Sequence, residues 1–141
     1  MNDLERIKRI YAGMLDGDVG ALEEVLAPDV EWHPAEGNPT APAAGGPIVG
    51  REAVVEDHDP AGKFARFWER LDCTPLRFHD GGEAIVVEAR YVGRGLATGR
   101  ELDAQACHVW TLRDGRVVRF RQYTDTAQLG WVLGLADRAG R

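Results

Sequence analysis

Residues 101–125 read ELDAQACHVWTLRDGRVVRFRQYTD. Two runs of alternation flank Asp114-Gly115, a dipeptide that favours a two-residue hairpin turn. In the first run Leu102, Ala104, Ala106, His108, Trp110 and Leu112 share one face. Glu101, Asp103, Gln105, Cys107, Val109 and Thr111 share the other. In the second run Val118, Phe120 and Gln122 lie opposite Arg119, Arg121 and Tyr123. Cross-strand partners must lie on the same face. Pairing Leu112 with Val118 therefore sets Trp110 against Phe120 and His108 against Gln122, with Val109 and Thr111 beside Arg121 and Arg119. The register one residue away, Leu112 with Val117, would set Trp110 against Arg119 and is rejected.

An imidazole and a carboxamide then stand side by side, about 5 Å apart at Cβ, on an otherwise apolar sheet face. Buried polar groups need hydrogen-bond partners. Either the two satisfy each other within a core, or they line a pocket. Small Ala104 and Ala106 beside large Trp110 and Phe120 leave space, which favours the pocket.

Upstream, period-2 patterning predicts strands over about 74–79 and 83–93. The strands of the hairpin span about 101–112 and 117–125. Glu88, Arg90, Glu101, Asp103, Arg119 and Arg121 form a charge ladder on the outer face, and Gly-rich 93–99 reads as a turn. The first half is helical. Asn2 and Glu5 have capping-box spacing, so a helix starts near Asp3, with Leu4, Ile7, Tyr11, Met14 and Leu15 as its stripe. After Asp16-Gly17-Asp18 a second helix buries Leu22, Val25 and Leu26 and stops at Pro28. Val30–His33 is a short strand, and 35–49 a Pro/Gly/Ala loop. A short helix runs from about Arg51 to Glu56 until DHDPAG breaks it. Phe64, Phe67, Trp68 and Leu71, at i, i+3, i+4 and i+7, predict an amphipathic helix. A C-terminal helix is expected from about Thr126 to Ala136.

Helices followed by consecutive antiparallel strands make one α+β domain over residues 1–141. With 141 residues, 44% hydrophobic and 28% charged, the chain can bury its own core and is not disordered. A net charge of −6 with no basic block argues against nucleic acid. No segment approaches the ~18 apolar residues that span a bilayer, and the N-terminus does not look like a signal peptide. Cys73 and Cys107 suit reduced thiols in a cytoplasmic protein. His33, His58, His79 and His108 lack metal-ligand spacing, so no metal is expected.

The order of a Tyr-bearing helix, LDGDVGALEEVLAPDVEWHP (15–34), PIVGREAV (47–54), an aromatic helix and CHVWTLRDGRVVRFRQYTDTAQL (107–129) resembles the NTF2-like superfamily. Within it, the match is to the SnoaL-like branch that includes ketosteroid isomerases and polyketide cyclases. It covers residues 4–133. The resemblance implies an NTF2-like cone, a strongly curved antiparallel sheet wrapped around the N-terminal helices. It also implies a homodimer through the outer sheet face. The isomerase base falls on His33 when aligned at Pro34, or on Trp32 when aligned at Val30-Glu31. The helix-1 Tyr matches Tyr11. The later-strand Asp falls on Cys107 or His108, of which only His108 faces inward, and the cyclase acid on Gln122.

Gln cannot ionise, so Gln122 orients substrate or water. His108 is the credible proton carrier, with Tyr11 as oxyanion donor and His33 a further catalytic candidate. Trp32, Phe64, Trp68, Trp110, Phe120, Gln122 and Asp125 are the candidate substrate-binding residues, although Asp125 also suits a helix N-cap. The expected function is cofactor-independent isomerisation, cyclisation or dehydration of an apolar cyclic or carbonyl-bearing compound. The alternative is a non-catalytic binding or partner-association module. An epoxide hydrolase ranks last, because Arg90 and Asp103 face outward.

Overall fold

The computed structural model describes residues 1–42 and 46–135. Its first helix begins at the expected capping box: Asn2 Oδ1 accepts from the Glu5 N–H at 2.8 Å, and Glu5 Oε2 accepts from the Asn2 N–H at 3.1 Å. From there α1 (Asp3–Leu15) buries Ile7, Ile10 and Tyr11. The second helix, α2 (Gly20–Val25), stops one residue short of the expected stripe. Leu26 instead opens β1 (Leu26–His33), where it pairs with Val117. Within the loop expected over 35–49, β2 (Ile48–Val49) pairs antiparallel with β1. Then come α3 (Arg51–Asp57) and α4 (Lys63–Phe67).

The amphipathic helix expected through Leu71 is corrected here. Helical backbone ends at Phe67, and Trp68 begins the long strand β3 (Trp68–Asp80). Trp68 and Leu71 are three apart yet both turn inward, because the β3–β4 ladder slips by one residue between Trp68 and Arg70. A bulge thus imitates a helical interval.

Three further strands complete the sheet: β4 (Ala84–Gly95), β5 (Glu101–Arg113) and β6 (Arg116–Thr124). The order is β2-β1-β6-β5-β4-β3 in one curved, unclosed sheet. It is mixed, not wholly antiparallel: β1 runs parallel to β6 and brings Trp32 beside Phe120.

At β5–β6 the expected pairs His108–Gln122, Trp110–Phe120, Val109–Arg121 and Thr111–Arg119 all occur. The tip differs. A bulge between Thr111 and Leu112 pairs Leu112 with Val117, and Val117, not Val118, is fully buried. Each simple register therefore holds for part of the ladder. Asp114 and Gly115 take φ of 53° and 76°, the left-handed pair of a type I′ turn.

The last helix, α5 (Thr126–Val132), ends earlier than expected because Gly134 adopts φ +74°. Ala136, the expected end, lies outside the described residues. The Gly95 backbone lies against the Val132 carbonyl, so closely that a Cβ at 95 would overlap that oxygen. Gly95→Ala is expected to destabilise the fold by about 2 kcal/mol through this overpacking, read as a lower urea midpoint at unchanged slope.

Outside, four residues of the expected charge ladder make close pairs, Arg90 Nε–Asp103 at 2.5 Å, Arg94 Nε–Glu101 at 2.8 Å and His79–Glu88 at 2.6 Å. Two of these pairs form through Arg94 and His79, which lay outside the expected set, while Arg121 lies 3.3 Å from His33. Exposed and screened by solvent, such pairs add little to stability. Inside, the apolar residues form two clusters. One gathers Ile7, Tyr11, Trp32, Trp110 and Phe120, the other Trp68, Leu102, Leu129 and Val132. Among the described residues no helix is long and apolar enough to cross a membrane.

Candidate functional site

Between the two clusters lies a cavity of about 170 Å³, walled by Tyr11, Trp32, Phe64, Trp68, Tyr91, His108, Trp110, Phe120 and Gln122 among others. Cavities near 150 Å³ accept a benzene-sized ligand. Alternation along β5 and β6 turns His108 and Gln122 into it, as their sequence positions require.

The polar groups on its wall form one hydrogen-bonded chain, and its direction follows from groups that can only donate. At one end, the Thr40 N–H donates to Asn38 Oδ1 at 3.0 Å, which leaves the Asn38 amide nitrogen facing Gln122 Oε1 at 2.9 Å. The Ala35 N–H donates to the same Oε1 at 3.1 Å. The Gln122 Nε2–H therefore donates to the Tyr91 hydroxyl oxygen at 2.8 Å. At the other end, the Trp110 Nε1–H donates to the Tyr11 hydroxyl oxygen at 2.9 Å. His108 joins the two ends, with Nδ1 2.6 Å from Tyr11 Oη and Nε2 2.7 Å from Tyr91 Oη.

Counting hydrogens gives the chemistry. A neutral imidazole has one N–H and the two tyrosines have two O–H groups, but only two bonds link the three rings. One hydroxyl hydrogen is left over. Tyr11 is 4% exposed and holds no further partner among the described residues, whereas Tyr91 is half-buried on the cavity wall. An unsatisfied buried donor costs about 1–3 kcal/mol. The favoured arrangement is thus Tyr11 O–H to Nδ1, Nε2–H to Tyr91 Oη, and the Tyr91 O–H turned to the cavity.

Electrostatics keep the chain neutral. Burial, reinforced by repulsion from a charged His58, lowers the His108 pKa to about 3. Burial raises the Tyr91 hydroxyl, helped by nearby Cys73 and opposed by the Gln122 hydrogen bond. Burial also raises Tyr11. The Cys73 thiol, on the same wall, is pushed up to about 12 by burial and so stays protonated rather than nucleophilic.

Of the candidates read from the sequence, His108, Tyr11, Trp32, Phe64, Trp68, Trp110, Phe120 and Gln122 meet at this cavity. Trp32 faces inward, stacked on Phe120 at 3.8 Å between centroids. His33 lies outside the cavity, 3.2 Å from Glu31 and 3.3 Å from Arg121. Asp125 caps α5, accepting from the Gln128 N–H at 3.0 Å, and does not line the cavity.

Sequence reasoning missed Tyr91, Asn38 and His58. Tyr91 was findable: Ile85, Val87, Ala89 and Tyr91 alternate inward along β4, the complement of the outward Glu88 and Arg90. His58 follows Val54 by one helical turn, but the Asp-His-Asp-Pro setting reads as a loop. No sequence signal marks Asn38. Among the described residues no group of three or more His, Cys, Asp or Glu could hold a metal ion.

A sequence model described as the SnoaL-like domain matches residues 7–120. No curated protein matches the chain. Among solved structures, an NTF2-like protein of unknown function from Burkholderia pseudomallei K96243 is 25% identical, with TM-score 0.83, over 94% of this chain and 98% of that one. TerC, co-crystallised with polyporic acid, is 27% identical, with TM-score 0.79, over 94% and 98%. A protein of ketosteroid isomerase-like fold from Catenulispora acidiphila DSM 44928, in complex with trimethylamine, is 17% identical, with TM-score 0.74, over 94% of each chain.

Proposed function

Because this chain belongs to the SnoaL-like domain family, we propose that it is a cofactor-independent proton-transfer enzyme of isomerase, cyclase or dehydratase type. Its substrate is an apolar cyclic or carbonyl-bearing compound. The observation that carries this reading is the Tyr91 hydroxyl, which receives hydrogen bonds from Gln122 and His108 and keeps its own hydrogen for the cavity. Two donors on one phenol oxygen polarise its O–H cooperatively. A carbonyl oxygen that gains charge during proton transfer is stabilised by such a preorganised donor in an apolar site. His108 acts through Tyr91, and Tyr11 holds the His108 tautomer. Gln122 orients Tyr91, and the aromatic wall of Trp32, Trp110 and Phe120 excludes water and packs the ring system of the substrate. The TerC co-crystal is in keeping with an organic ligand in a cavity of this fold.

The test uses 2-tetralone, a bicyclic ketone with acidic α-hydrogens, in deuterated water, with exchange followed by proton NMR. Wild-type protein is expected to accelerate exchange well above buffer. Tyr91→Phe should reduce that acceleration about 100-fold, the usual cost of losing one oxyanion donor. A protein that binds 2-tetralone without exchanging it is a binding module, and the proposal fails.

A further inference from the structure

The backbone settles the tautomer of a second imidazole on the cavity wall, that of the half-buried His58. Its Nδ1 lies 2.8 Å from the Val54 carbonyl oxygen, which can only accept, so Nδ1 carries the hydrogen. In the neutral ring Nε2 is then a bare lone pair. It has no hydrogen-bond partner among the described residues. No buried side-chain nitrogen or oxygen there is both sealed and unpartnered, so Nε2 is open to an incoming molecule.

The ring is part of the cavity wall. Trp32 meets it edge-on at 4.8 Å and Phe64 lies at 5.8 Å. Trp32 stacks in turn on Phe120, whose ring is 5.1 Å from His108. The stacked pair therefore separates the His58 lone pair from the His108–Tyr91 chain, on one cavity.

We infer that His58 Nε2 is the general base of this site, removing a hydrogen α to a carbonyl whose oxygen is held by the Tyr91 O–H. This rests on the proton-transfer reading above. The step balances within the site. The C–H bond breaks and its electron pair forms the enolate C=C, while the carbonyl π pair moves onto oxygen. The proton rests on Nε2, where it exchanges with solvent, and a solvent-derived hydrogen then returns to carbon.

The charged groups around His58 suit this role. Asp57 Oδ2 lies 4.0 Å from Nδ1 and favours the imidazolium as it forms. Lys63, 2.9 Å from Asp57, and a charged His108 oppose it. His108 is neutral near pH 7, which leaves Asp57 and Lys63 as the charges that act. Burial lowers the His58 pKa, so the base stays unprotonated and available at neutral pH.

His58→Gln is expected to lower kcat for 2-tetralone exchange at least about 100-fold, the scale of general-base loss, while KM changes less than about fivefold. The acid limb of the wild-type pH–rate profile should vanish with it. His58→Asn should behave alike and serves if the first variant folds poorly. Nitrogen-15 NMR of the wild-type protein at pH 7 should find hydrogen on Nδ1 and none on Nε2. Wild-type exchange in His58→Gln, or a hydrogen on Nε2, overturns the assignment and leaves the Tyr91 reading standing. Absence of exchange in the wild-type protein overturns both.

Discussion

His108→Ala is expected to lower 2-tetralone exchange by up to about 100-fold, the loss that Tyr91→Phe gives, and added imidazole should restore part of it. Among the described residues the imidazole ring is the only hydrogen-bonded link between Tyr11 and Tyr91. Its removal strips one donor from the Tyr91 oxygen and frees Tyr91 to rotate out of line. Because His108 acts through Tyr91, the loss is bounded by that of the Tyr91 donor itself, about 10²-fold. The same substitution leaves the Tyr11 hydroxyl without an acceptor and opens a small void, a stability cost of about 3 kcal/mol. A domain of ordinary stability, about 5–15 kcal/mol, survives this. Rescue separates the two effects. Imidazole entering the void can rebuild the chain and recover turnover, whereas a purely structural His108 would show recovered melting temperature and no recovered rate.

The hairpin carried most of what the sequence revealed. Alternation in 101–112 and 117–125 put His108 opposite Gln122 because side-chain period 2 determines a face without knowledge of the rest of the fold. Two of the misreadings share one cause. Trp68 and Leu71 are spaced as on a helix, and Val117 replaces Val118 inside, because each ladder slips by one residue at a bulge. Bulges depend on the partner strand, which no local window contains. The parallel β1–β6 contact that seats Trp32 on Phe120 is equally invisible, since period 2 names the face but not the neighbour. Tyr91 was legible on its strand and needed only the inward reading of β4. His58 was not, because its function depends on a carbonyl one turn back and on aromatic walls drawn from β1 and α4.

Acidification is expected to unfold this protein more readily than its net charge suggests, with stability falling from near pH 6.5 downwards. His108 titrates near 6.5 in the unfolded chain and near 3 when folded. Between those values only the unfolded state binds the proton. The stability that neutral His108 contributes is therefore complete above pH 6.5 and is lost as pH falls, at up to about 1.4 kcal/mol per pH unit. From pH 7 to pH 4.5 His108 alone accounts for roughly 2–3 kcal/mol. His58 is shifted in the same direction by the same cause, burial, and steepens the slope. Urea midpoints at pH 7.5, 6.0 and 4.5 should fall progressively, and His108→Ala should fall less steeply although it starts lower. A wild-type midpoint that is flat from pH 7 to pH 4.5 would mean that His108 accepts a proton in the folded state. The cavity wall would then hold an imidazolium, both ring nitrogens would donate to the tyrosines, and Tyr91 would no longer be held by a neutral partner.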